Sequence, residues 1–508
     1  MSTTRSRPRV ERVPDLLTEA AALVPDRKAY VTLGRDELTF GAWQDRSSRL
    51  GAALSSDICC GDRVLVLCSP ETWCAHLVAY VGIQRAGAVP VPVSSASSPH
   101  ELDSVADAVA PAAAVAGDAE AASAAARAGI EARTVAELCE ARLDERAKDR
   151  LARARHHPDA DILFTTGTTG VPKPVVTTHS NLLHGTGGAP PVWDGWPIVH
   201  TMPPYAAAGA QGIAMLVLGG RLCGVGVPQL TLEALRRAVE QHGGRILWTT
   251  PSVLRFLVEA GSIDEPWLRR FEYVFSVGSS VSPAVLEALA AALPRTMLLN
   301  VYGLTEAGGA QTVMPYDRSR PGSVGRPSGL TLVEIRAVDG ACAAPGEIGE
   351  IWLRRRGTQP RSYFRDSAAS RDVFRGGWTR TGDLGYVDDD GYLYLVDRKK
   401  NIIVRDGTNI SPFEVEAVLA QHPAVVDAAV VGLPDPVHGQ RVGAVVVTGS
   451  VRPTSGELRR FCRERLSRSK TPREFFVADA LPRNELGKIV HEQLRAAVRD
   501  NRLQKLSP

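Results

Sequence analysis

Two Thr-Thr-Gly triplets followed by a lysine constrain this chain more than any other stretch of its sequence. The segment runs from Thr165 to Lys173 and reads Thr-Thr-Gly-Thr-Thr-Gly-Val-Pro-Lys. Glycines let the backbone bend so that its N–H groups face an anion, and the hydroxyls and the lysine add donors and a positive charge. Residues 160–164 are predicted to form a strand that enters the segment.

This segment predicts a phosphate-binding loop, with a polar surface loop as the alternative. It is not a Walker A loop, because there the lysine directly follows the glycine. The candidate phosphate-binding residues are Thr165, Thr166, Gly167, Thr168, Thr169, Gly170 and Lys173.

A second cluster follows a predicted strand over residues 297–301. Tyr302 can stack on a base, Thr305 can donate to a phosphate, and Glu306 can bind Mg²⁺. A strand-end turn without a ligand is the alternative that this segment alone leaves open. The candidates here are Asn300, Val301, Tyr302, Gly303, Thr305 and Glu306.

Two further clusters carry charge. Asp383 follows a glycine turn, and a carboxylate in that position can accept hydrogen bonds from ribose hydroxyls. Arg398, within the run Asp397–Lys400, offers a planar fork for ribose or phosphate oxygens. Lys488 follows a Leu-Gly pair near the C-terminus. Taken singly, these clusters are better explained as solvated surface charge.

In combination the clusters resemble the motifs of the adenylate-forming superfamily, most closely its acyl-CoA synthetase and acyl-AMP ligase branch. The resemblance extends from about Tyr30 to Leu494, with five motifs in family order. It implies an α/β fold. The large N-terminal domain, residues 1–397, would have mostly parallel sheets and a β-barrel-like part. A small mobile α+β domain would follow at 398–508.

The resemblance also implies roles for individual residues. Lys488, Thr305 and Glu306 would be catalytic, with Glu306 holding Mg²⁺, and Lys400 would be the hinge of the C-terminal domain. Asp383 would bind the ribose, and Arg398 the ribose and phosphate. The remaining implied contacts are with the nucleotide at Gly278, Ser279 and Ser280, and with a CoA channel at Gly407 and Thr408.

The chemistry implied is a two-step ligation. A carboxylate attacks the α-phosphate of ATP to give acyl-AMP and pyrophosphate, and the thiol of CoA then displaces AMP. The expected small molecules are therefore a carboxylic acid, ATP, AMP, CoA and Mg²⁺. A carrier-protein thiol in place of CoA is a rival prediction.

Small residues line both predicted walls of the acid pocket. Amino-acid-activating relatives carry an aspartate here for the ammonium group, and this chain has none between Tyr205 and Gly212. We therefore predict a bulky, largely apolar acid, of the kind used in secondary metabolism. The alternative is that these residues are small to allow close backbone packing. The candidate pocket residues are Tyr205, Ala206, Ala207, Gly209, Ser276, Ala307, Gly308 and Gly309.

Two positions depart from the family pattern. Pro174 stands where the family loop has glycine, and proline removes an N–H and fixes φ. Ala206 stands where many acyl-CoA synthetases have histidine or another aromatic residue. Both motivate a second hypothesis, an enzyme that mainly transfers the acyl group from preformed acyl-AMP to CoA. Nothing in the sequence favours oxygenase chemistry, and the filled catalytic positions disfavour a non-enzymatic sensor.

Charge and composition bound the remaining possibilities. The 508-residue chain has a net charge of +3, which does not predict nucleic-acid binding, although residues 399–508 carry +6. That basic part suits a polyanionic partner or is a solvated face. The eight cysteines form no Cys-x-x-Cys pair, and neither a signal peptide nor a membrane span is evident. We expect a cytoplasmic protein without a membrane partner.

Hydrophobic periodicity predicts βαβ units in the first 155 residues. The expected elements are a helix over 40–58, a strand over 63–67, a helix over 73–86 and a strand over 88–93. Residues 106–128 are alanine-rich and predict a helix plus a surface loop. Antiparallel strands are expected after Gly322. The C-terminal region is expected to contain helices at 412–421 and 455–467 and a strand pair at 425–432 and 441–448.

Overall fold

The computed structural model describes residues 10–140, 142–165, 173–185, 194–279, 281–337, 339–398, 401–405, 408–435, 437–449, 451–483 and 489–507, with only the backbone of 408 and 409. The chain divides into two compact units. The first comprises 1–321, 327–332 and 353–379, and the second 322–326, 333–352 and 380–508. The predicted domain boundary after Asp397 stays a prediction.

A mostly parallel sheet organises the first unit. Its inner strands are parallel, and the strands at its two ends, Gln311–Pro315 and Asp36–Thr39, are antiparallel to their neighbours. The strands lie in the spatial order Gln311–Pro315, Met297–Gly303, Tyr273–Val277, Ile246–Thr249, Pro197–His200, Cys223–Gly226, Lys28–Thr32 and Asp36–Thr39.

Two smaller sheets complete the strands of this unit. One is parallel throughout, in the order Val89–Ser94, Arg63–Cys68, Ala113–Ala116 and Arg133–Thr134. The other is antiparallel, with Lys173–Thr178 between Ser362–Tyr363 and Asp159–Thr165. Its long hairpin flanks the predicted phosphate loop, residues 166–172 of which lie outside the described part of the chain.

Helices cover these sheets, and their apolar spacing explains where they pack. The helix Phe40–Leu54 begins at Thr39, whose hydroxyl accepts from the Ala42 N–H, and Trp43 is wholly buried on its inner face. The unit's helices are Val13–Leu23, Phe40–Leu54, Trp73–Arg85, Pro99–Val109, Ala119–Arg127, Val135–Cys139, Glu145–Arg153, His179–Gly185, Ala214–Gly220, Leu232–His242, Pro251–Glu259, Pro283–Ala292 and Ser367–Val373.

The βαβ predictions for the first 155 residues are confirmed, with one exception. The alanine-rich region contains a buried strand, Ala113–Ala116, between its two helices, so the prediction of a helix plus a surface loop is wrong there. Alanine has low strand propensity. Parallel pairing with Arg63–Cys68 and burial of both faces outweigh that propensity.

The second unit is built from antiparallel strands and a smaller α+β part. Leu393–Arg398 pairs antiparallel with both Ser323–Pro327 and Trp378–Val387, and Gly349–Arg355 and Thr331–Arg336 extend the sheet. The C-terminal sheet contains Thr408–Ile410, Ile403–Arg405, Gly439–Thr448, Val425–Asp435, Glu474–Val477 and Gln504–Lys505. Its helices are Pro412–Leu419, Ser455–Arg463 and His491–Arg499. The predicted α+β class of this region is confirmed.

No helix among the described residues is long and apolar enough to span a bilayer.

The core of the first unit contains histidines that burial keeps neutral. His76 is fully buried edge-on to Trp73, at 5.5 Å between ring centroids, and neither of its ring nitrogens has a hydrogen-bond partner among the described residues. Burial lowers the pKa of His76 to about 3, and it lowers the pKa of His200 to about 3 as well. The unfolded chain therefore binds more protons than the folded one below a pH of about 6.5.

We predict that acid destabilises this unit between about pH 6.5 and pH 4. Each buried histidine should lower the free energy of unfolding by about 1.4 kcal/mol per pH unit in that window, because only the unfolded state gains the proton. His76→Phe should reduce the pH dependence of the free energy of unfolding by the contribution of one histidine. The measurement is the urea midpoint at each pH, followed by tryptophan fluorescence. The exposed His100→Gln is the control, and an equal slope in parent and His76→Phe would contradict the prediction.

Candidate active site

The strand entering the predicted phosphate loop and the predicted metal-binding carboxylate meet directly. Thr165 ends the strand Asp159–Thr165, and Glu306 lies in the short 3₁₀ turn Thr305–Ala307 that follows the strand Met297–Gly303. The Thr165 hydroxyl donates to Glu306 Oε1 at 3.0 Å across 141 positions of sequence. Glu306 is half-buried, so this bond forms at the edge of solvent.

Tyr363 joins this pair to the lysine at the other end of the loop. Its hydroxyl donates to Glu306 Oε1 at 3.4 Å, and the Lys173 ammonium lies 5.0 Å from the centre of its ring, within cation–π range. Lys173 also pairs opposite Thr165 in the antiparallel register. Burial first, and then the Glu306 charge, raise the pKa of Tyr363 well above its ordinary value, so its hydroxyl stays protonated and donates.

Several predicted nucleotide contacts lie at the carboxyl edge of the parallel sheet. Ser276 is opposite Asn300 and Val277 is opposite Val301 in neighbouring strands, and this edge is where open α/β sheets place ligands. Ser276 and Asn300 are buried, and the Ser276 hydroxyl has no partner among the described residues. Beyond these strands, Gly278 has a φ of +97°, which suits glycine.

Ser279, Tyr302 and Gly303 follow directly on the strands Tyr273–Val277 and Met297–Gly303 or end them, and their assignment to the nucleotide stays a prediction. Ser279 and Tyr302 are half-buried, and Gly303 is exposed at the end of its strand. The predicted residues Thr166, Gly167, Thr168, Thr169, Gly170 and Ser280 lie outside the described residues.

The second unit brings the two predicted ribose residues together. Asp383 and Arg398 are opposite each other on antiparallel strands, and Arg398 Nε lies 2.9 Å from Asp383 Oδ1. Asp383 is buried, whereas the Arg398 side chain is 38% exposed. The Asp383 N–H donates to the Thr381 hydroxyl at 3.0 Å, and that hydroxyl donates to the Ile351 carbonyl at 2.7 Å. The carboxylate is thereby held on a fixed strand.

The residues predicted as the C-terminal catalytic lysine, the hinge and the CoA channel lie mostly outside the described part of the chain. Lys488, Lys400 and Gly407 are not described, and Thr408 is described only as the first residue of the strand Thr408–Ile410.

Comparison with known proteins identifies the family. The sequence profile of the family described as "AMP-binding enzyme" matches residues 17–363, more than half of the chain. The profile described as "AMP-binding enzyme C-terminal domain" matches residues 414–488. The chain belongs to the AMP-binding enzyme family.

CoA ligases are among the similar proteins. Sulfoacetate–CoA ligase of Cupriavidus necator is 35% identical over 349 residues, which are 65% of this chain and 66% of that ligase. The long-chain-fatty-acid–CoA ligase FadD13 of Mycobacterium tuberculosis is 30% identical over 502 residues, covering 94% of this chain and 97% of FadD13.

A solved relative shows the same architecture with an intermediate bound. The o-succinylbenzoate CoA synthetase of Bacillus subtilis, in complex with its acyl-adenylate, has a TM-score of 0.82 and 25% identity, covering 95% of this chain and 98% of that one. Together these similarities confirm the predicted adenylate-forming superfamily and its acyl-CoA synthetase branch. They likewise confirm the prediction of an ATP-dependent acid–CoA ligase.

The predicted pocket walls of this AMP-binding enzyme have structural reasons to be small. A Cβ on Gly209 would lie 2.0 Å from the carbonyl oxygen of Pro203. Gly308 has a φ of +62°, and a Cβ there would lie 3.2 Å from Arg361 Nε. Gly309 has a φ of +80°. Close packing and backbone conformation therefore account for these three glycines.

The other predicted pocket residues have varied surroundings. Tyr205, Ala206 and Ala207 are half-buried just before the π-helical turn Ala208–Ile213, a kind of turn often found at functional sites. Ala307 is buried. Their assignment to the acid pocket stays a prediction.

The sequence analysis missed four residues that surround this site. Tyr363 contacts Glu306 and Lys173, and Asp161, Gln211 and Arg361 form a buried network behind it. One signal was available, because Asp161 and Gln211 are polar residues inside apolar runs. No local pattern singles out Arg361 or Tyr363.

We predict opposite outcomes for two glycine-to-alanine changes in the same π-helical turn. Gly209→Ala should lower the free energy of unfolding by about 2 kcal/mol or more, because the added methyl collides with backbone. Gly212→Ala is the matched control, since its Cβ would lie 3.8 Å from the Ala207 carbonyl oxygen and 4.0 Å from Trp248. It should be neutral or stabilising by up to about 1 kcal/mol. Thermal unfolding measures both, and equal losses would contradict the packing explanation.

Proposed function

We propose that this enzyme activates a bulky, largely apolar carboxylic acid as acyl-AMP and transfers the acyl group to CoA, in the cytoplasm and within secondary metabolism. The observation that carries the proposal is the contact between Thr165 and Glu306. It joins Thr165, the first residue of the predicted phosphate-binding segment, to the carboxylate that we propose holds the counter-ion of the departing pyrophosphate.

The first step needs the charge on three phosphates to be balanced while the carboxylate attacks. Lys173 would neutralise phosphate oxygens at one end of the loop, and the Thr165 hydroxyl at the other end would orient the Glu306 carboxylate. Tyr363 is a neutral donor fixed between Lys173 and Glu306. Lys488, assigned by resemblance, would neutralise the acid and the α-phosphate as they approach.

The residues present fit Mg²⁺. Glu306 offers carboxylate oxygens beside the Thr165 hydroxyl, and Mg²⁺ is held in nucleotide sites by one or two carboxylates together with substrate phosphates. When bound, the ion would supply charge neutralisation to the β- and γ-phosphates. Glu306 is the residue that would hold the ion, and the Thr165 and Tyr363 hydroxyls would orient its carboxylate.

The Asp383–Arg398 pair would bind the ribose of AMP in both steps. A carboxylate can accept hydrogen bonds from both ribose hydroxyls, and a partly exposed guanidinium can turn toward oxygen atoms of the nucleotide. The region 398–508 would rotate about Lys400 between the steps, so that Gly407 and Thr408 line the thiol channel.

The thiol is proposed to be CoA, with a carrier protein as the alternative. Arg459, Arg460 and Arg463 of the helix Ser455–Arg463 surround a surface pocket together with Gly456 and Glu464. Such a positive surface would attract either the phosphates of CoA or an acidic carrier protein. Comparing the two thiols at equal concentration separates them.

A thiolation-dominant enzyme is the second candidate function. Pro174 lies one residue after Lys173, and its carbonyl accepts the Phe364 N–H at 2.8 Å, so the loop's exit is held in the sheet. A stiff exit would slow closure of the loop over pyrophosphate and leave the second step unaffected. Separate measurement of the two half-reactions decides between the candidates.

We predict acyl-CoA formation from one or more large apolar acids in a screen by product mass, run with ATP and separately with synthetic acyl-AMP. Lys488→Ala should lower the rate of acyl-CoA formation from acid and ATP by about two orders of magnitude or more. The rate from supplied acyl-AMP should be unchanged. The exposed Lys505→Ala is the control. Absence of product from every acid by both routes would reject the proposed function.

We also predict that the Thr165 hydroxyl serves adenylation. Thr165→Val should lower kcat/KM of acyl-AMP formation about 10-fold or more, because a hydrogen bond to a charged group is lost. Thr165→Ser keeps the hydroxyl and should stay within about 3-fold of the parent. Pyrophosphate exchange measures both variants, and equal behaviour of serine and valine would exclude a role for the hydroxyl.

A further inference from the structure

A buried chain of side-chain hydrogen bonds begins at the strand that enters the phosphate loop. The Tyr80 hydroxyl donates to Asp161 Oδ2 at 2.5 Å, and Gln211 Nε2 donates to Asp161 Oδ1 at 2.8 Å. Gln211 Nε2 also lies 2.9 Å from the Thr177 hydroxyl oxygen, on the strand that leaves the loop. One amide group therefore ties together the two strands that flank the loop.

The chain continues to the turn that carries Glu306. Gln211 Oε1 accepts from Arg361 Nη2 at 2.9 Å, and Arg361 Nη1 donates to the carbonyl oxygen of Thr305. Two residues after Arg361, Tyr363 donates to the Glu306 carboxylate itself. The segment 361–363 thus holds the turn at its backbone and at its reactive side chain.

The charges in this chain are costly to bury. Asp161 is 0% exposed and Arg361 is 6% exposed, and a neutral amide stands between them instead of a direct ion pair. Burial raises the pKa of Asp161 and lowers the pKa of Arg361, and the opposite charge counteracts each shift. Apolar residues of similar volume often stabilise a core as well as a buried ion pair does. Stability alone therefore does not explain this arrangement.

The geometry of the turn is adapted to Arg361. Gly308 carries no Cβ where Arg361 Nε approaches, and Arg361 Nε itself is buried without a partner among the described residues. The two terminal nitrogens of the guanidinium donate hydrogen bonds, one to Gln211 and one to Thr305. Only a planar fork spans both acceptors at once, because a lysine offers a single nitrogen.

We propose that Gln211 and Arg361 are positioning residues for adenylation, which hold the Glu306 turn beside Thr165, at the end of the strand Asp159–Thr165. Gln211 also belongs to the π-helical turn Ala208–Ile213, next to the predicted acid pocket. The same amide therefore links the acid side of the site to the nucleotide side. This inference rests on the proposed function, since it concerns the first of the two steps.

The decisive variant is Arg361→Lys, with Arg245→Lys as the control. Arg245 forms a partly exposed ion pair in this unit, with Glu272, and has no hydrogen bond to the network residues named above. Arg361→Lys should lower kcat/KM of acyl-AMP formation about 10-fold to 100-fold, since misplacement by about 1 Å costs that much. Transfer from supplied acyl-AMP to CoA should stay within about 2-fold, and Arg245→Lys should keep the ratio of the two rates.

Two readouts separate positioning from general destabilisation. Calorimetric titration with ATP should show less enhancement by Mg²⁺ in Arg361→Lys than in the parent. Combining Gln211→Met with Arg361→Lys should cost no more than Arg361→Lys alone, because both changes break one chain. If Gln211→Met does not fold, the titration and the ratio of half-reactions in Arg361→Lys still decide.

Equal loss of both half-reactions in Arg361→Lys, or an unchanged adenylation rate, would overturn the positioning role while leaving the ligase function intact. A parent enzyme that forms no acyl-AMP from any acid would instead overturn the proposed function, and the positioning role with it.

Discussion

The carboxylate of Asp161 is buried without access to water, and the arrangement of the site depends on how it is satisfied. A buried charge needs partners for its lone pairs. Tyr80 and Gln211 supply them, and Gln211 can do so only with its amide oxygen turned to Arg361. That orientation fixes the guanidinium under the Thr305 carbonyl. The two buried carboxylate oxygens of Asp161 need hydrogen-bond partners. Through the three side chains of Asp161, Gln211 and Arg361, this need determines how the turn that carries Glu306 is held.

The parallel sheet supplies the frame on which this network acts. Neighbouring parallel strands end at the same edge, so residues far apart in sequence, such as Ser276 and Asn300, come to lie opposite each other. The strands Asp159–Thr165 and Lys173–Thr178 belong to a separate antiparallel sheet, and a side-chain hydrogen bond from Thr165 joins the first of them to the Glu306 turn. We infer that the precision of the site depends on these polar contacts more than on backbone pairing, which is why the chain tolerates charges in its interior.

The small residues of the predicted acid pocket illustrate how one pattern can have two causes. The alanines and glycines at 206–209 and 307–309 predict space for a bulky acid, with close packing as the alternative. For Gly209 the carbonyl of Pro203 excludes a side chain, and for Gly308 the guanidinium of Arg361 and a positive φ do so. The alanines at 206 and 207, which are half-buried, carry the remaining support for a large acid.

Local chemistry in the sequence is enough to predict the family and the α/β class, because hydroxyls, glycines and charges at fixed spacing form motifs within a few residues. Apolar periodicity adds approximate bounds for some of the helices and strands. Local chemistry is also enough to propose Thr165, Glu306, Asp383 and Arg398. The strand Ala113–Ala116 escaped prediction because its conformation is decided by neighbouring strands and not by alanine's own preference. Gln211, Arg361 and Tyr363 escaped because hydrogen bonds across 34 to 150 positions leave no periodic pattern in a sequence. Only the folded chain brings such donors and acceptors within 3.5 Å, and only there does burial make each unpaired group expensive.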